Sequence, residues 1–177
     1  LLGIPVFYAD TRAKCLMATD KVLINDIKGA FGNDIYNKDG ILERKRLASI
    51  VFNDDLLLEK LNSLVHPAVF RDFAVWATMQ KAPFVLKEAA ILFESGSDGD
   101  CDYTIVVTSP RMLRISRVMS RDNVSAEEVE KRMDKQLNDD EKIRLADFVL
   151  LNDERQLLIP QVLSLHKQLL GLNDHKG

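Results

Sequence analysis

The chain has 177 residues, 46% hydrophobic and 29% charged, with a net charge of -3. That is the balance of an ordinary globular protein, one domain or one domain with a small appendage. It excludes a disordered tail, a collagen-like repeat and a disulfide miniprotein, and the acidic excess speaks against a nucleic-acid partner. No apolar run approaches the roughly 18 residues of a membrane span. Two distant cysteines, Cys15 and Cys101, suit a reducing cytoplasm.

Leu1-Leu2-Gly3 reads as the end of a helix with a glycine stop, so the sequence is expected to begin inside a domain. Ile4 to Tyr8 predicts a strand, with Pro5 near its start, where a missing N–H is tolerated. Asp10 is placed to end that strand and to cap a helix over 11–28. The stretch NDIYNKDG over 33–40 is dense in turn formers. Apolar spacing predicts a helix over 42–52, and Asn53 is the expected N-cap of another over 54–65. Leu57, Leu58, Leu61, Leu64 and Val65 would form its apolar face. His66-Pro67 is expected to break it, with Pro67 opening a further helix to about Gln80.

Phe84 to Leu86 and Ala89 to Phe93 form a nearly continuous apolar run, which predicts a buried parallel strand. Residues 96–100 are expected to be a loop and Tyr103 to Val107 a second buried strand. Ser109-Pro110 opens a helix to about Ser120, and Ser125 with Glu128 matches a capping box for the next. Phe148 to Leu151 predicts the last strand and Pro160 to Leu170 the terminal helix.

Strands alternating with helices predict an α/β fold with a mostly parallel sheet. The helices over 11–80 are too many for one crossover and predict a helical subdomain or lid. Ligands in such folds sit at the carboxyl ends of strands, which places Asp10, Glu94, Thr108 and Asn152 near one rim. Asp10 there is suited to orient a hydroxyl nucleophile or meet a metal, or else to cap a helix. Arg114, Arg117 and Arg121, at i, i+3 and i+7, share one helix face. Such a face suits polyphosphate, because the guanidinium fork binds phosphate oxygens bidentately; the alternative is a solvated face balanced by Asp122, Glu127, Glu128 and Glu130. His66 at its helix junction reads as a cap or a packing residue. No zinc spacing, no G-x-S-x-G and no G-x-x-x-x-G-K-[ST] phosphate loop occurs in these residues.

Six segments in order resemble the dephospho-coenzyme A kinase family. They are Gly3 to Asp10, where Tyr8 replaces an earlier acid; Gly40 to Leu47 with Val51-Phe52; Leu61-Asn62 to His66-Pro67, the most specific; Ile91 to Glu94, with Ala90 where proline is usual; Arg117 to Asp122 with Arg132 to Gln136; and Ala146 to Asn152. The resemblance implies an α/β fold like the P-loop NTPases: a three-layer parallel sheet with helices on both faces, a helical substrate domain and a helical lid. It implies a nucleotide-binding core over 1–10, 81–116 and 145–177, a coenzyme A-binding domain over 11–80 and a lid over 117–144. It further implies a phosphate loop, its strand and a first helix upstream of Leu1.

The implied reaction is transfer of the ATP γ-phosphate to the ribose 3′-hydroxyl of dephospho-coenzyme A, the last step of coenzyme A biosynthesis, in the cytoplasm. Asp10, Arg117 and Arg121 would be catalytic, Arg44, His66 and Glu94 would bind substrate, and Arg117 and Asn152 would bind nucleotide. ATP and Mg²⁺ are the implied cofactors, with no nucleic-acid or membrane partner and no resident metal site. The alternatives are another small-molecule P-loop kinase, or a non-catalytic α/β binding protein should the phosphate loop be truly absent.

Overall fold

A computed structural model describes residues 2–51 and 54–173, which fall into two compact units, Leu1–Ala89 and Ala90–Gly177. In the first, strand β1 (Val6–Tyr8) runs straight into helix α1 (Ala9–Thr19), followed by α2 (Lys21–Phe31), α3 (Arg44–Val51), α4 (Asp55–Thr78) and strand β2 (Leu86–Glu88). β1 and β2 pair in parallel, Val6 opposite Leu86 and Tyr8 opposite Glu88.

The helix expected over 11–28 is two helices. Asp20 divides them, because its carboxylate accepts the N–H groups of Val22 and Leu23 and starts α2 afresh. Asp10 is not a cap: it lies in the first turn of α1, whose N-cap is Tyr8. The turn-rich stretch folds around Asn37, whose side chain accepts from the Asp39 and Ile41 amides, with Gly40 at φ +76°, a conformation that costs glycine little. Asp54, not Asn53, caps α4 by accepting the Leu57 amide; Phe52 and Asn53 lie outside the described residues.

The break expected at His66-Pro67 does not occur, and α4 runs through Pro67 to Thr78. Proline removes the donor to the carbonyl four residues back, here Ser63. Both Pro67 and Ser63 lie on the exposed side of α4. Val65, Ala68 and Val69 on either side of Pro67 are buried, and their packing holds the helix across it.

The core of this unit gathers Phe7, Leu23, Ile27, Ile35, Tyr36, Leu42 and Leu47 with the buried face of α4. The Phe7 ring meets Phe73 edge-on at 5.1 Å and Trp76 at 5.3 Å. Such pairs contribute about 0.5–1.5 kcal/mol beyond their buried area, and they pin β1 to α4.

The second unit holds strands β3 (Ile105–Thr108) and β4 (Phe148–Leu151) and helices α5 (Arg111–Asp122), α6 (Ala126–Met133), α7 (Asp139–Leu145) and α8 (Leu158–Asn173). β3 and β4 pair in parallel from Ile105–Phe148 to Thr108–Leu151. At the entry end, the Asp147 carboxylate accepts both the Thr104 N–H (2.7 Å) and its hydroxyl (2.8 Å), and the Asp147 N–H donates to that hydroxyl oxygen.

Residues 89–93, expected to be strand, are coil and turn. Ser95, Gly96 and Ser97 amides donate to the Ile91, Phe93 and Leu92 carbonyls, and Gly96 at φ +67° closes that turn. Ala89, Ile91, Leu92 and Phe93 are only half-buried and Ala90 is exposed. The Ser125–Glu128 capping box is formed, and a second, Asn138 with Glu141, starts α7.

Candidate active site

In the first unit, Tyr8 and Glu88 stand opposite each other at the carboxyl ends of β1 and β2, and Asp10 is the second residue of α1. Asp10 is exposed and, among the described residues, engaged by no hydrogen bond or ion pair, so its carboxylate is open to a ligand. Two residues further, Arg12 makes a two-pronged pair with Asp72 of α4, at 2.5 and 2.6 Å, with its guanidinium over the Phe7 ring. This fixes the start of α1 and hence the placement of Asp10. His66, half-buried in α4, is held below the ordinary imidazole range, first by burial and then by the Lys87 ammonium of β2. Lys87 itself lies over the Phe73 ring at 5.6 Å. Arg44 opens α3 and is exposed, with no acidic partner among the described residues.

In the second unit, a cavity of about 1030 Å³ opens at the carboxyl ends of β3 and β4, lined in part by Glu94, Thr108, Arg111, Arg114, Leu137 and Asp139. Glu94 accepts the Leu137 amide at 2.9 Å and pairs with Lys142 of α7 at 2.9 Å. Burial pushes the Glu94 carboxyl up, but the Lys142 ammonium and the amide bonds outweigh it and hold it below the usual range. Arg117 donates to the Asn152 carbonyl (3.1 Å) and to its side-chain oxygen (3.4 Å), and pairs with Glu154 at 3.0 Å. Arg121 is largely exposed and is held by Asp122, which also binds Arg132.

The structure therefore brings Arg117 and Asn152 together directly, and ties Glu94 to the segment entering α7. Asp10 and Arg44 have no hydrogen-bond or ion-pair partner among the described residues, and His66 is set beside a lysine. Three of the four arginines of α5, those predicted to share one face, do not share one target, since Arg114 is held by Asp139, Arg117 by Asn152 and Glu154, and Arg121 by Asp122. Sequence reasoning missed Asp139, Lys142 and Glu154. The N-x-x-E signature at Asn138–Glu141 would have placed Asp139 at a helix start; the ion-pair partners carry no spacing signal.

The chain matches a family model described as dephospho-CoA kinase over residues 1–157. It is 40% identical over 162 residues to a dephospho-CoA kinase of Porphyromonas gingivalis, covering 91% of this chain and 80% of the relative. It is 41% identical over 154 residues to one of Salinibacter ruber, covering 85% and 77%. A solved structure from Thermus thermophilus superposes with a TM-score of 0.75 at 34% identity, covering 85% of this chain and 76% of that chain. The dephospho-CoA kinase from Campylobacter jejuni gives a TM-score of 0.61 at 25% identity, covering 99% and 88%.

Proposed function

The chain belongs to the dephospho-CoA kinase family, and from that premise we infer that it is an ATP-dependent kinase making coenzyme A from dephospho-CoA, the final step of coenzyme A biosynthesis. The observation that carries this reading is the family match over residues 1–157. We further propose a core over 1–10, 81–116 and 145–177, a coenzyme A-binding region over 11–80 and a lid over 117–144, in a cytoplasmic protein. Among the described residues no helix is long and apolar enough to cross a membrane.

In the proposed reaction the 3′-oxygen of the acceptor forms a bond to the γ-phosphorus as the bond to the bridging oxygen of ADP breaks. The hydroxyl proton passes to the Asp10 carboxylate, which is exposed and unengaged. A positioned base of this kind contributes about 10²–10⁴-fold. The remaining chemistry is placement and charge neutralisation. Arg117, aimed by Asn152 and Glu154, is assigned to the nucleotide, with Asn152 bordering it. Arg121, paired only at the surface, is assigned to the transferring phosphoryl group. Arg44 and His66 are assigned to the coenzyme A end of the acceptor, and Glu94 to substrate binding through the wall of the second unit's cavity.

Mg²⁺ is proposed to accompany ATP. Among the described residues no group of three His, Cys, Asp or Glu side chains is arranged to hold a metal ion. The ion commonly keeps its waters and binds chiefly to substrate phosphates, so no resident cage in these residues is required, and chelation is expected to abolish turnover.

The test is transfer of labelled γ-phosphate to dephospho-CoA, with nucleoside monophosphates and shikimate as competing acceptors. Product appearing only with dephospho-CoA supports the assignment, and preference for another acceptor overturns it. Asp10→Asn is expected to lower kcat by about 10²-fold or more with the KM for ATP within about twofold; near-normal kcat removes Asp10 from the chemistry.

A further inference from the structure

Arg114 lies one helical turn before Arg117 on α5 and lines the cavity of the second unit. Its Nη1 donates to Asp139 Oδ1 at 2.7 Å. The other oxygen of the same carboxylate accepts the Thr108 hydroxyl at 3.0 Å. Thr108 is the last residue of β3, so Asp139 ties Arg114 to the strand end where ligands of parallel α/β folds bind. The Arg114 Nε–H is buried and has no acceptor among the described residues. Buried donors without partners are rare, because desolvation is then uncompensated. A guanidinium has five N–H donors in a planar fork, and Asp139 engages only one edge of it.

The acids on the cavity wall refine where an anion can sit. Glu94 is neutralised by Lys142 and Asp139 by Arg114. Asp134, Asp140 and Glu141 also line the wall and disfavour an anion near them, while Lys135 and Arg111, the latter paired with Glu130, add positive charge to the same wall. The α5 helix thus presents two arginines one turn apart, each aimed by its own acceptor: Arg114 by Asp139 and Arg117 by Asn152 with Glu154.

We propose that Arg114 is a second phosphate-gripping arginine of the nucleotide site, and that Asp139, anchored by Thr108, is the positioning residue that aims it. This rests on the kinase reading and adds to it a residue assignment which that reading does not supply. Arg117 then serves the nucleotide beside Asn152, and Arg114 its polyphosphate at the strand end.

The test measures binding of tripolyphosphate and of adenosine separately to the full chain by calorimetry, together with the KM for ATP. Arg114→Gln is expected to weaken tripolyphosphate at least tenfold and raise the KM for ATP, with adenosine affinity unchanged. Arg114→Lys, which keeps the charge and loses the fork, is expected to fall between, and it decides the matter if the glutamine variant loses its thermal transition. Asp139→Ala is expected to weaken tripolyphosphate about fivefold, Asp139→Glu to recover part of that, and the double variant with Arg114→Gln to be no worse than Arg114→Gln alone. Unchanged tripolyphosphate binding in Arg114→Gln, equal losses for adenosine and tripolyphosphate, or additive losses in the double variant overturn the proposal. If the parent chain makes coenzyme A while Arg114→Gln matches it in every binding measurement, this inference fails and the kinase reading stands. A parent that transfers no phosphate to dephospho-CoA overturns both.

Discussion

Protonation of His66 is penalised by burial and then by the neighbouring Lys87 ammonium, and the sign of the consequence is definite. The unfolded chain takes up the proton near the ordinary value of 6.5, and the folded chain only at lower pH. His66 therefore costs no stability above 6.5, and stability falls as pH drops below it. His66→Gln is expected to flatten that part of the stability–pH curve, and Lys87→Met to move the NMR titration midpoint of His66 upward. Identical slopes in parent and variant would refute this account. Glu94 behaves oppositely in charge but alike in direction: its lowered pKa gives stability that is full above the usual carboxylate range and lost in acid. Glu94→Ala leaves the Lys142 ammonium, itself mostly buried, without its partner, at a cost of about 3 kcal/mol, read as a lower midpoint in denaturant. The placement of Asp10 just after a strand and of Arg117 on a helix was legible in the sequence, because both follow from local pattern. The Leu137 amide that Glu94 accepts is 43 residues away, and no local pattern reports a contact of that kind.

The helices show where propensity and packing part company. Capping chemistry is local, so Ser125–Glu128 was readable from four residues. The continuity of α4 was not, because it is decided by the buried Val65, Ala68 and Val69 and the aromatic contact of Phe73 and Trp76 with Phe7, none of which is local to Pro67. Proline in a helix interior is about 3 kcal/mol less favourable than alanine, offset by about 1 kcal/mol from its stiffening of the unfolded chain. Pro67→Ala is thus expected to stabilise the chain by about 1–2 kcal/mol and to raise Tm by a few degrees. A lower Tm would mean that the ring makes packing contacts worth more than the restored hydrogen bond. The apolar run over 89–93 misled in the other direction: apolar residues with β-forming character were bent into turns by Gly96 and the bonds around Ser95 and Ser97.

The two units differ in how much apolar surface they seal. The principal cluster, from Phe7 to Val69, belongs wholly to the first unit, whereas among the described residues of the second only Ile115, Val129 and Leu165 are hydrophobic and buried. Opening free energies follow such differences. Amides of α2 and α4 are expected to exchange slowest and those of α6 and α7 markedly faster, by mass-resolved hydrogen exchange; uniform protection would contradict this. The α/β class was legible from the alternation of strands and helices, because periodicity survives in a single sequence. The pairing of strands two by two was not, because partner choice depends on contacts remote in the chain. The mutual grip of Thr104 and Asp147 makes the entry end of β3 and β4 a fixed datum. A slip of one residue would turn every side chain to the opposite face, so Thr108 and Asn152 are indexed from points about 13 Å and about 17 Å back along their strands at 3.3 Å per residue. A nucleotide-affinity defect caused by a substitution at Thr104 would be an error of alignment, like a ruler read from a shifted zero, with every contact at the far end chemically intact.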